Sequence, residues 1–353
     1  MENYITGLEN NDPTLVKLSI NDYIYNSDMI HFAKALEKNT TLEKLAINRN
    51  SFCCESIIAF ADMIKINNFL KKIDISSNHI GNNIGDNSIM TIYEALKINT
   101  SLQELNISYN NIDINGIIAI SRVCFTLSLI KRNNLEALKV NTTLQELIID
   151  NNSSGIIHIF EALKINKSLK KICFYEGDIN DECAIVISDI LKFNTQLEIL
   201  NFSSEVNINK KELEKIIEFL KVNTTLKKLY MFQIDIDENI AFLLGKCLKI
   251  NNTLPTRLKP GSGTPELALQ VLDISFNEIG NGIIAIANFL KINNTLQILY
   301  INSCYIDEYG IIEICEALKV NTHLQKLYIG YNNIGENGAI AISRVCFSLS
   351  LIK

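Results

Sequence analysis

Four histidines, nine cysteines and one glycine-flanked serine are the residues with which this 353-residue chain could do covalent or metal chemistry. His31, His79, His158 and His323 are scattered along the chain. A general base needs a nucleophile or an orienting partner within hydrogen-bond reach, and no spacing nominates one. Cys53 and Cys54 are adjacent, which gives no C-x-x-C zinc corner, and Cys124, Cys183, Cys247, Cys315 and Cys346 sit in apolar stretches. An odd number of cysteines so placed fits small buried side chains in a reducing compartment better than a disulfide framework. Gly261-Ser-Gly263 lacks the G-K-[ST] of a phosphate cradle and the third spaced glycine of a dinucleotide fingerprint. The expectation is therefore no enzyme, no cofactor and no metal.

What those residues sit in is a repeat. The segment N-T-T-L-x-x-L-x-I returns with its first leucine at Leu15, Leu42, Leu70, Leu102, Leu144, Leu169, Leu197, Leu226, Leu269, Leu296 and Leu324. The step is 28 residues from Leu42 to Leu70, from Leu169 to Leu197 and from Leu296 to Leu324. Each unit has two hydrophobic periods. Leu324, Leu327 and Ile329 read as a short half-buried strand, whereas Ile311, Ile314, Cys315 and Leu318 hold one helical face apolar, with Glu313, Glu316 and Lys319 on the other. Self-similarity at this period is the mark of a stacked array, in which no unit can bury its own strand and helix.

Asparagine punctuates both junctions. It closes the helix at Asn39, Asn67, Asn99, Asn141, Asn166, Asn194, Asn223, Asn251, Asn293 and Asn321. There its tolerance of the left-handed conformation lets it cap as glycine does. It returns after the strand at Asn50, Asn78, Asn110, Asn152, Asn277 and Asn332. At that offset a column of side-chain amides can satisfy buried turn backbone.

The motif L-x-x-L-x-I-x-x-N at this period resembles the ribonuclease-inhibitor type of leucine-rich repeat, which occurs also in the repeat arms of NLR immune receptors and in the Ran GTPase-activating proteins. The resemblance covers residues 13 to 353. It implies an α/β solenoid, a horseshoe with parallel strands on its concave face and helices on its convex face. It is nearly silent on function.

The array is read as a single domain, 1–353, of about eleven repeats with two interruptions. Between Leu102 and Leu144 a degenerate repeat occupies the region near 125–140, and a loop insertion near 255–267 holds three of the four prolines. The stretches 110–131 and 332–353 differ only at 113/335, 114/336, 117/339 and 126/348, an internal duplication. The second copy ends on an apolar stretch with no polar capping unit, which makes self-association through that end a candidate.

Function must then come from the variable strand positions that line the inner face. Ser19, Ala46, Asp74 and Asn106, with Asn48, Ser76 and Ser108 beside them, are small or polar. Further along the positions turn aromatic: Tyr175, Tyr230, Phe232, Tyr300 and Tyr328, with Phe276 and Tyr331 at the turn, and Asp150 and Asp273 add negative charge. Aromatics rimmed by polar groups are what a protein-binding hot spot resembles. These nine residues are the candidate partner-binding site, and Gly177, Glu205 and Ile234, where the turn asparagine is missing, mark an irregular middle.

A net charge of -6 argues against duplex nucleic acid and against an anionic membrane surface. The N-terminal stretch has no basic segment followed by an apolar run, so a cytoplasmic protein partner is expected. Two other readings stay open. One is a GTPase regulator resembling the Ran GTPase-activating proteins, although no catalytic residue of theirs matches a position here and 348–353 is not acidic. The other is the recognition arm of an immune sensor or of a delivered effector.

Overall fold

In each L-x-x-L-x-I segment the second leucine and the isoleucine fall two apart, so an extended backbone sends both to one side. Leu45 and Ile47 are almost fully buried, and so are Leu299 and Ile301. The computed structural model describes the chain except residues 22, 51, 79–86, 111, 113–116, 119, 122–140, 151–152, 176, 203–205, 254–268 and 347–353. His79, the degenerate repeat, the insertion and the apolar end lie outside the described residues.

The described residues fall into two compact units, 1–177 and 178–353. In the first, helix α1 (Glu2–Glu9) precedes an alternation of strand and helix: β1 (Lys17–Ile20), α2 (Asn26–Lys38), β2 (Lys44–Ile47), α3 (Cys54–Ile66), β3 (Lys72–Asp74), α4 (Asn87–Ile98), β4 (Glu104–Asn106), β5 (Glu146–Asp150), α5 (Ser153–Leu163) and β6 (Lys171–Tyr175). Strands β1 to β6 pair in chain order and in parallel. Their register places Ser19, Ala46, Asp74, Asn106, Ile148 and Cys173 in one cross-strand row. Parallel neighbours need a crossover of a dozen or so residues, and a helix supplies it between β1 and β2, β2 and β3, β3 and β4, and β5 and β6.

The second unit repeats the plan. Its elements are β7 (Gly177–Ile179), α6 (Asp181–Phe193), β8 (Ile199–Phe202), β9 (Val206–Ile208), α7 (Lys210–Ile217), β10 (Lys228–Met231), α8 (Glu238–Thr253), β11 (Val271–Asp273), α9 (Ile283–Leu290), β12 (Ile298–Tyr300), α10 (Glu308–Leu318), β13 (Lys326–Tyr328) and α11 (Gly335–Cys346). Strands β8, β10, β11, β12 and β13 are parallel neighbours in that order. Leu200, Leu229, Leu272, Leu299 and Leu327 form its buried row. The irregular middle contributes a separate ribbon of β7 and β9, where the Asn207 amide donates to Asp178 Oδ1 at 2.9 Å.

Successive helices pack on one another. Ile311, Ile314, Cys315 and Leu318 are buried, whereas Glu316 and Lys319 are exposed, which is the division the periodicity predicts. Helices α8 and α9 come closest at Gly245, where an added Cβ would lie 2.6 Å from the Ala285 carbonyl carbon.

The helix-end asparagines act differently from the expected left-handed cap. Asn39, Asn67 and Asn194 are extended, with φ of -74°, -70° and -68°. Their conformation is ordinary and their side chains make the junction. Asn67 Nδ2 donates to the carbonyls of Leu36 (2.7 Å) and Asn39 (3.1 Å) in the preceding repeat, and its Oδ1 accepts from the Phe69 and Leu70 amides. Asn99, Asn141, Asn223 and Asn321 reach back in the same way. After the strands the expected column is present. Asn78 donates to the Ile47 carbonyl at 2.6 Å and accepts from the Asn50 amide at 2.7 Å, while its own amide donates to Asn110 Oδ1 at 2.8 Å.

Candidate functional site

The strand positions opposite the buried leucines form a face of their own. In residues 178–353 the parallel register aligns Asn201, Tyr230, Asp273, Tyr300 and Tyr328 as one half-buried row. Tyr300 and Tyr328 stack as cross-strand neighbours with ring centroids 4.3 Å apart and planes 10° from parallel. Burial, and then the neighbouring Tyr328, push the Tyr300 phenol above its ordinary value. Beside this row, Phe232 leans on Phe276 of the following repeat at 4.8 Å.

The edge where strands turn into helices differs. Just before the column position, whether asparagine or its replacements Ile234 and Cys304, the backbone is left-handed in repeat after repeat, at Arg49, Ser77, Tyr109, Gln233, Phe276, Ser303 and Tyr331. Asp235 and Tyr305 occupy a second such slot two residues on. A side chain there costs about 1–2 kcal/mol against glycine. Serine, glutamine and arginine also fill the first slot, so the turn does not require an aromatic. Yet Tyr331 is 89% exposed and Tyr305 75%, and with Phe276 they line an open recess of about 570 Å³. Asp307 supplies a carboxylate to this recess, and Gln233, Ser303, Asn332 and Asn333 the remaining polar lining.

These turns are acidic. Residues 233–240, 275–283, 302–310 and 330–338 contain seven carboxylates and no lysine or arginine. Asp237 is paired with Lys210 at 2.7 Å, and Glu308 accepts from the Asn337 amide. Asp235, Glu278, Asp307 and Glu336 are exposed, and among the described residues none of them forms an ion pair. Asp307 uses Oδ1 to cap α10, accepting from the Gly310 amide at 2.9 Å. Among the described residues no three His, Cys, Asp or Glu side chains converge as metal ligands.

Seven of the nine sequence-predicted residues therefore lie in one unit, as two ring pairs (Phe232 with Phe276, Tyr300 with Tyr328), Tyr230 in the strand row, Tyr331 in the recess and Asp273. Tyr175 lies in the other unit, where its ring meets Tyr109 at 5.7 Å and burial raises its phenol. Asp150 ends β5 opposite Tyr175 in the register, and its side chain is outside the described residues. Asp273 has a local partner. Its Oδ1 accepts from the Ser275 amide at 2.9 Å, as Asp74 does from Ser76 and Asn106 from Ser108. Burial raises the Asp273 carboxyl in spite of those bonds.

Sequence reasoning passed over Tyr305, Tyr109 and Asp307. Tyr305 sits in the turn whose column asparagine is replaced by Cys304, so the marker that locates the slot is absent. The Cys304 thiol donates to the Ile274 carbonyl at 3.2 Å, and burial pushes it up to about 12. Cys173, Cys183, Cys247, Cys304 and Cys315 are buried and stand outside any disulfide. No helix of the described residues is long and apolar enough to cross a membrane.

Comparison with known proteins agrees with this architecture. The leucine-rich-repeat family pattern matches residues 67–92, 99–121, 269–287 and 320–343. Leiomodin-2 of Mus musculus is 29% identical over 82 residues, which is 23% of this chain and 15% of leiomodin-2. The leucine-rich repeat-containing protein LegL7 of Legionella pneumophila superposes with a TM-score of 0.52 at 16% identity, over 95% of this chain and 97% of that one. Actin-binding site 2 of leiomodin-1 aligns with 55% of this chain and 88% of that one, with a TM-score of 0.34 and 21% identity. With strand–helix units stacked in parallel and the repeat pattern matched in both halves of the sequence, the chain carries leucine-rich repeats and has the fold of a leucine-rich-repeat solenoid.

Proposed function

We propose that the chain is a non-catalytic protein-interaction module whose partner docks on the exposed sheet face and the adjoining turn edge of residues 178–353. The observation that carries this reading is the placing of Phe276, Tyr305 and Tyr331 on left-handed backbone at an exposed edge. Other repeats fill the same slot with Ser, Gln or Arg, so the turn does not require rings there, and Tyr and Phe are side chains from which binding hot spots are built. A sheet face set by hydrogen-bonded repeats also loses little conformational entropy on binding. The period, with strand followed by helix in most of the described repeats, supports the ribonuclease-inhibitor type of repeat. Buried cysteines outside any disulfide suit a reducing compartment.

The test is affinity capture from a lysate of the source cell with wild type and with Tyr230, Phe232, Tyr300 and Tyr328 all changed to Ser. Purified actin serves as a defined bait in a parallel arm. The expected result is one near-stoichiometric protein that the quadruple variant loses by at least ~10-fold, since a hot-spot residue contributes about 2 kcal/mol or more. Equal capture by both forms would move the site off the sheet face, and capture by neither would remove the functional reading.

A further inference from the structure

Resting on that reading, we infer that the recess at the turn edge takes a cationic side chain, lysine or arginine, from an extended basic segment of the protein partner. Its shape and its charge point to the same occupant. Three aromatic rings, those of Phe276, Tyr305 and Tyr331, line a space of about 570 Å³, which exceeds the volume of one long side chain. An aromatic face attracts a cation, and lysine or arginine is its ordinary complement in a partner protein. The four turns around the recess hold seven carboxylates without one lysine or arginine of their own, and Lys210, paired with Asp237, leaves negative charge in excess at this edge.

Asp307 completes the site. It lines the recess and is exposed, and its Oδ1 is engaged only by the Gly310 amide. A carboxylate beside rings converts a general attraction for cations into a located one. An acidic occupant would be repelled by Asp235, Glu278 and Glu336, and a wholly apolar one would strip water from Asp307 without replacing it. Gln233, Ser303 and Asn333 leave amide and hydroxyl groups for the main chain of an extended segment.

The test uses the full chain and fluorescence polarisation with four labelled octapeptides, in which serine alternates with lysine, arginine, norleucine or glutamate. The lysine and arginine peptides are expected to bind at least ~10-fold more tightly than the other two. Tyr305→Ser with Tyr331→Ser should weaken the basic peptides ~5- to 10-fold, and both rings are exposed enough for the fold to survive their loss. Asp307→Asn keeps a cap acceptor for Gly310 and should still lose ~3- to 10-fold. Glu182→Gln, an exposed acid on α6, should change nothing.

Binding of the norleucine peptide as tightly as the lysine peptide overturns the inference. So does an unaffected tyrosine double variant, or a loss on Glu182→Gln equal to that on Asp307→Asn, which would reduce the effect to the net charge of -6. No binding by either basic peptide overturns it as well. If any of these occurs while the quadruple sheet-face variant still loses its captured partner, the interaction reading stands and only the ligand chemistry falls.

Discussion

At the scale of single residues, the polar groups that most resemble a site are chiefly occupied in holding backbone. Asp273 shows this best, because Asn106, in a repeat much earlier in the chain, performs the same task without a charge. Burial raises the folded carboxyl above its unfolded value, so the folded state holds its proton more tightly, and stability falls as pH rises from the unfolded value through the folded one. Asp273→Asn is therefore expected to stabilise at pH 7, by roughly 0.5 kcal/mol, and to give no gain once the pH is low enough to protonate the wild-type carboxyl. Urea unfolding at pH 7 and pH 3 checks this, and a gain that persists at pH 3 would point to packing instead. The sequence displayed the acid but not its partner, because the D-x-S spacing acquires meaning only when the strand ends and the chain turns. Tyr305 was hidden for a related reason, since the slot it fills is defined by backbone φ and not by residue type.

At the scale of elements, strand and helix were legible because hydrophobic spacing alone decides which face is buried. The row of leucines from Leu200 to Leu327 follows directly from it. What spacing cannot convey is how closely two helices approach. Gly245 lies inside α8, where alanine would be the better helix former by about 1 kcal/mol. The Ala285 backbone stands where its Cβ would go, and overpacking of that kind costs about 1–3 kcal/mol. Gly245→Ala is thus expected to lower stability in spite of its helix propensity, as a fall in the unfolding midpoint. An unchanged or raised midpoint would mean that α8 and α9 separate without cost. The helix-end asparagines carry the same lesson. Their position was readable, but whether they capped by conformation or by side chain depended on the Leu36 and Asn39 carbonyls, contributed by the unit before.

At the scale of the whole molecule, both asparagine columns join each repeat only to its neighbours. Asn78→Ala would leave the Ile47 carbonyl and the Asn50 amide buried and unpaired, at about 1–3 kcal/mol each. In an array of nearest-neighbour contacts that loss stays local. Hydrogen exchange should accelerate in the strands around β2 to β4 and stay unchanged in β11 to β13, whereas faster exchange throughout would mean that the array unfolds as one body. The same wiring bears on heredity. Where the asparagines recur, a unit offers the next the same pair of sockets, an open carbonyl behind and a side-chain amide ahead, so a gene can gain or lose such a unit and leave the joints on either side compatible. The near-identical stretches 110–131 and 332–353 are what such copying leaves behind, and a lineage could lengthen or shorten its sheet without redesigning those joints.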